Sequence, residues 1–181
     1  MFDVIENLYV FFTSSTKRFA ALQTELQSVT NALQLRSLSK TRWSARAESV
    51  QAVWTSFEAI QDALLNIVGH SNTDNKTKGK ATGIINQLLN FDFIVSIMFT
   101  RGILMTLRLL SDNLQMDQLN VMEAMSLLHG TVNTIRRVRD DDAGLEWQVM
   151  ASINFASDKY GIEGITDHKM PQDDMTNIRR Q

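Results

Sequence analysis

Ser44-Ala45-Arg46-Ala47-Glu48-Ser49-Val50-Gln51-Ala52-Val53-Trp54-Thr55-Ser56-Phe57-Glu58-Ala59-Ile60-Gln61-Asp62-Ala63-Leu64-Leu65-Asn66-Ile67-Val68-Gly69 decides the fold class. Its apolar residues Ala47, Val50, Val53, Trp54, Phe57, Ile60, Leu64, Ile67 and Val68 recur every three or four positions. That spacing places them on one side of an α-helix. Ser44 is a natural N-cap and Gly69 a natural stop, so the stretch predicts one long amphipathic helix.

The same period runs outward in both directions. Phe2, Ile5, Leu8, Tyr9 and Phe12 form one stripe, and after the hydroxyls Thr13 to Thr16 it continues through Phe19, Leu22, Leu26 and Val29. Downstream, His70 to Gly79 is polar and bounded by glycine, which predicts a loop. Helical pattern resumes at Lys80 to Leu89, then from an Asp92 cap through Ile94, Ile97, Met98, Leu104, Leu107 and Leu110, with a turn around Ser111 to Met116. Leu119, Met122, Met125, Leu128, Val132, Ile135 and Val138 mark a further helix, and Ala143 to Tyr160 a last one. No β-type alternation stands out. The expectation is an all-α, irregular multi-helix domain of about six or seven helices over residues 1–160, followed by a flexible tail over 161–181.

A chain of 181 residues, 44% hydrophobic and 21% charged, suits one soluble domain with a sizeable core. The net charge of −2 gives no overall pull toward nucleic acid, but its distribution is uneven. Lys17, Arg18, Arg36, Lys40, Arg42 and Arg46 are opposed by Glu25 alone between Thr16 and Ala47. A local positive surface and a solvated helix face are both compatible with that run. The absence of cysteine excludes disulfides, thiolate metal sites and a Cys nucleophile. Met1 to Glu6 lacks the basic start and apolar run of a signal peptide. Phe91 to Leu110 is apolar, yet Asp92, Arg101 and Arg108 are spread along it, which argues for a buried helix rather than a membrane span.

No enzyme site emerges. His70, His129 and His168 lack metal-ligand spacing, and no cofactor is expected. Gly79-Lys80-Ala81-Thr82-Gly83 has the letters of a phosphate loop without its spacing. Asp140-Asp141-Asp142 splay apart if helical and read as a solvated turn or as partners of Arg136, Arg137 and Arg139. Met98, Met105, Met122 and Met125, with Trp54 and Trp147, are expected in packing. Lys40-Thr41-Arg42-Trp43 remains: either a helix entry with a packed Trp, or Arg for a phosphate oxygen and Trp for the face of an unstacked base.

Four segments, in order, carry a resemblance to the hAT superfamily of cut-and-paste DNA transposases, in particular to zinc-finger MYM-type-like, transposase-derived proteins. They are Leu8-Tyr9-Val10-Phe11-Phe12-Thr13-Ser14-Ser15-Thr16-Lys17-Arg18; Leu38-Ser39-Lys40-Thr41-Arg42-Trp43-Ser44-Ala45-Arg46; Leu110-Ser111-Asp112-Asn113-Leu114-Gln115 with Asp117-Gln118 and Ala124-Met125-Ser126-Leu127; and Ile135-Arg136-Arg137-Val138-Arg139-Asp140-Asp141 with the later Tyr160-Gly161-Ile162. The resemblance implies the helical insertion of an RNase H-like transposase without the α/β catalytic core that supplies the family's two Asp and one Glu. It therefore implies a chain that is catalytically inactive alone, is nuclear, and would contact distorted transposon-end or hairpin DNA in an intact parent. By that resemblance Arg42 and Trp43 touch DNA, and Thr41, Lys40, Arg46, Lys17 and Arg18 add phosphate contacts. The alternative is a helical interaction module with no DNA role, self-associating or capturing a protein through Phe2, Phe11, Phe12 and Phe19. No membrane partner is expected on either reading.

Overall fold

The computed structural model describes residues 1–30, 32, 34–35, 37, 43–117 and 119–160, with the side chains of residues 43 and 158–160 outside that description. Eight α-helices form among them and no strand: α1 (Phe2–Thr13), α2 (Thr16–Leu26), α3 (Trp43–Thr55), α4 (Phe57–Gly69), α5 (Asn75–Leu88), α6 (Phe91–Leu114), α7 (Val121–Asp140) and α8 (Asp142–Tyr160). The all-α expectation holds, with a slightly higher helix count. The expected tail lies outside the described residues.

The extra helix comes from the decisive stretch itself. The expected single helix is two, broken at Ser56, whose φ of −110° and ψ of 23° leave the helical region. Its N–H still donates to the Ala52 carbonyl, while its own carbonyl accepts from the Ile60 N–H, so the break costs little hydrogen bonding. The physical reason lies in the partners. α3 packs on α6, whereas α4 packs on α2 and α5, and one straight rod serves only one of those directions. The helix also begins at Trp43 rather than after a Ser44 cap.

Two further boundaries move. Half of the expected loop His70 to Gly79 is helix: Asp74 caps α5 by accepting from the Thr77 amide at 2.9 Å. Asn90, not Asp92, caps α6, and that helix runs through the expected turn to Leu114. At α7 the cap is a full reciprocal box, in which Asn120 accepts from the Glu123 amide at 2.9 Å and Glu123 accepts from the Asn120 amide at 3.3 Å.

The core is drawn from α1 to α6. Ile5, Leu8, Phe12, Leu22, Val50, Val53, Ile60, Leu64, Leu88 and Ile97 are all but sealed from solvent. α8 joins through a seam of small residues, the buried Ser152 and Ala156, that lets it approach α6 closely. Phe155 wedges between Trp54 and Phe57, at ring-centroid distances of 5.1 Å and 5.7 Å. α7 has no buried residue at all.

α6 alone among the described helices is long and apolar enough to cross a membrane by length and composition. Both of its interior arginines are engaged by α3. Arg101 Nε donates to Gln51 Oε1 at 2.7 Å with its guanidinium carbon 5.7 Å from the Trp54 ring centroid, and Arg108 pairs with Glu48 at 3.3 Å.

The Asp74 cap makes one expectation about pH. Hydrogen bonds from the Thr77 hydroxyl and then the Thr77 amide hold its carboxyl below the usual carboxylate range. A depressed folded-state pKa stabilises above the unfolded pKa and loses that contribution as the pH falls through the folded value. The first turn of α5 should therefore fray in acid, below the ordinary carboxylate range. Amide exchange at Thr77 should rise there, and Asp74→Ala should reproduce the rise at neutral pH. Equal protection of the Thr77 amide in that variant would contradict the assignment.

Candidate nucleic-acid interface

Of the residues expected to contact DNA, Lys40, Thr41 and Arg42 lie outside the described residues. Trp43 supplies the backbone that opens α3, and its side chain lies outside the described residues too. Arg46 stands three residues later, half-buried, with its guanidinium carbon 5.2 Å from the centroid of the Phe2 ring. Its head is thereby laid over the start of α1.

Lys17 and Arg18 belong to the first turn of α2. Arg18 Nη2 donates to Ser14 Oγ at 2.9 Å, and its guanidinium carbon lies 4.5 Å from the Phe11 ring centroid. Phe2 and Phe11 sit near opposite ends of α1. They lie nine helical steps apart, roughly 13–14 Å at the helical rise. The described members of the expected set therefore form two stations beside α1, with Arg46 at one end and Lys17–Arg18 at the other.

At the second station the chain builds concave surface. A cavity of about 590 Å³ is lined by Ser15, Lys17, Arg18, Asn66, His70 and Asp74, among others. A neighbouring one of about 360 Å³ shares Arg18 and adds Lys80 and Gln87. The starts of α2 and α5 both border the larger cavity, so their helix dipoles add positive potential to that of the side chains. Asp74 works against this with one negative charge. Lys76, Lys78 and Lys80 follow it on the first turns of α5, giving the region a basic excess. Periodicity alone passes over Lys76 and Lys78, because it places them in a polar loop. The signal that finds them is Asp74 as N-cap, three residues ahead of the Thr77 amide it holds.

The phenylalanines expected to form an association face divide. Phe11 and Phe12 are buried, packed edge-to-face at 5.4 Å, and belong to the core; Phe2 is partly buried, and Phe19 is 40% exposed. Burial of Phe11 and Phe12 removes them from any docking face, because α1 is closed over by α2, α3 and α5. Two packing expectations also fail. Trp147 is 71% exposed, and Met122 and Met125 are open to solvent rather than in the core. Trp147 points away because Ser152 and Ala156 already turn the other side of α8 toward α6.

At the C-terminal end of α7, Asp140 and Arg139 form a bidentate pair at 2.7 Å and 3.1 Å, which lowers the pKa of the Asp140 carboxyl and raises that of the guanidinium. Among the described residues no group of three or more His, Asp or Glu side chains is placed to hold a metal ion. Comparison with known proteins finds no matching family model, no similar curated protein and no similar solved structure.

Proposed function

We propose that this chain is the helical domain of a hAT-type transposase, or of a protein derived from one, and that it holds DNA without catalysing its cleavage. The four ordered sequence segments support the origin. The observation that carries the DNA reading is the basic station where Lys17 and Arg18 line a cavity at the starts of α2 and α5, and Arg18 with Lys80 lines a second one beside it. Positive side chains and helix N-termini suit phosphate oxygens, which supply most of the affinity in backbone recognition. Arg42 and Trp43 are proposed to take an unstacked base and its phosphate. A nuclear location follows from the same reading, and no membrane role is proposed.

The test is fluorescence anisotropy of a labelled DNA hairpin titrated with the full chain across a salt series. The wild type should bind with an affinity that falls steeply as salt rises. Lys17→Ala with Arg18→Ala should shallow the log–log salt slope by about one unit for each phosphate that is no longer neutralised. Trp43→Ala should weaken hairpin binding by roughly 5- to 150-fold, the equivalent of about 1–3 kcal/mol of base stacking, with much less effect on the slope. Absence of binding at low salt, or indifference to all of these substitutions, removes the DNA reading. Metal-dependent cleavage of the hairpin by the pure protein would sink the claim of inactivity.

A further inference from the structure

The smaller cavity at the second station, about 360 Å³, is a groove between α1 and α5 that also reaches Arg18 of α2. Each long wall is one helical face: positions 7, 10, 11 and 14 on α1 and positions 80, 83, 84 and 87 on α5, spaced i, i+3, i+4, i+7. Phe11 and Ile84 are buried along it and Val10 is exposed, so part of the groove is apolar. Its polar groups are the carboxamides of Asn7 and Gln87, both exposed, with Ser14, Arg18 and Lys80, and no carboxylate lines it. Gly83 stands midway along the α5 wall, where a Cβ would meet nothing within 4 Å. A glycine with that room does not serve close packing, and it weakens the helix relative to alanine. What it leaves is open space in the groove.

We infer, resting on the DNA reading given above, that this groove takes an unpaired adenine from the strand whose phosphate Arg18 holds, and that Asn7 and Gln87 read the edge of that base. Continuity favours this occupant. Arg18 lines both cavities and is held in place by its hydrogen bond to Ser14 Oγ at 2.9 Å and by the Phe11 ring, 4.5 Å from its guanidinium carbon. A guanidinium so placed loses little freedom on meeting a phosphate. Asn7 lies seven helical steps from Ser14, roughly 10 Å at the helical rise. That matches the reach of one nucleotide from its phosphate to the far edge of its base.

The lining chemistry selects the base. A carboxamide carries a donor and an acceptor side by side, the complement of N7 and the N6 amine of adenine. A cytosine calls for a carboxylate to accept from its amine, and none lines the groove. Lys80 and Arg18 keep the groove positive, so a phosphate chain is drawn to it rather than repelled. Val10 supplies an apolar surface for the face of the base, and the space at Gly83 supplies room for it.

The experiment is fluorescence anisotropy of the full chain with three short labelled single strands of equal phosphate number: all adenine, all thymine and abasic. The wild type should bind the adenine strand at least about fivefold more tightly than either of the others, the low end of what one bidentate base contact discriminates. Asn7→Ala and Gln87→Ala should each cut that preference, and together abolish it, while binding of the abasic strand and its salt slope stay as in the wild type. Gly83→Leu fills the groove with a better helix former, so it should keep or raise Tm and still lower adenine binding to the abasic level. A wild type that binds the three strands equally overturns the inference and leaves the DNA reading standing. A preference for adenine that survives all of the substitutions also overturns it, because the base is then read elsewhere. No binding of any strand at low salt removes the DNA reading, and the base contact with it.

Discussion

Phe12→Ala should lower the stability of the fold by about 3–5 kcal/mol, the cost of removing a fully buried aromatic and leaving a void. Phe12 is completely shielded from solvent, and its ring meets Phe11 edge-on at 5.4 Å. It lies in the cluster where α1 packs on α2, α3 and α5, and where Leu8, Leu22, Val50 and Leu88 are sealed as well. With four helices abutting, the walls relax little into the space. Since a domain of this kind has only about 5–15 kcal/mol to lose, the variant should sit near the edge of folding. Thermal unfolding followed by circular dichroism should show a drop on the order of 10 °C. Phe19→Ala is the matched control. Phe19 is 40% exposed, so its removal should change Tm only slightly. Equal losses from the two substitutions would mean that α1 and α2 are not packed as described.

That pair of phenylalanines also shows how far the fold is legible in the sequence. Periodicity identifies helices in the right places, because a helix registers its buried face directly in residue spacing. It does not identify which apolar residues are buried, because that depends on what packs against each face. Phe11 and Phe12, expected at a docking surface, are core, whereas Met122, Met125 and Trp147, expected in packing, are open. The break at Ser56 is hidden for the same reason. Nothing in Thr55-Ser56-Phe57 forbids a continuous helix, and the bend arises from α3 and α4 facing different neighbours.

The candidate site is less legible than the fold. Lys17 and Arg18 stand out in the sequence as part of a basic run, and they do line concave surface. Arg46 belongs to the same run, yet it lies over Phe2 at the other end of α1. Chain proximity of bases says nothing about which end of an intervening helix each will reach. Lys80 enters from far along the chain, brought beside Arg18 by the packing of α5 on α1.

The second large effect concerns how the outer helices are held. Phe155→Ala should release α8 from the core while leaving α1 to α6 folded. Phe155 is the bulky member of a seam otherwise made by small residues: its ring packs on Trp54 at 5.1 Å and against the edge of Phe57 at 5.7 Å, bridging α3 and α4. Ser152 and Ala156, to either side of it, bury little area of their own, and the Ser152 hydroxyl lies 2.8 Å from the Gln148 carbonyl of its own helix and 3.1 Å from Met98 Sδ on α6, a weak acceptor. The seam also holds Gln148 Oε1 buried without a hydrogen-bond partner, an unfavourable term that the aromatic contact has to offset. Removing a partly buried Phe with two aromatic neighbours should cost about 2–3 kcal/mol, nearly all of it from the docking of α8. Hydrogen exchange should then show α8 amides losing protection, and α7 following because α8 is one of its two supports. Amides of α1, α2 and α4 should keep theirs. Uniform loss of protection across all helices would show instead that the core and the outer helices unfold as one unit.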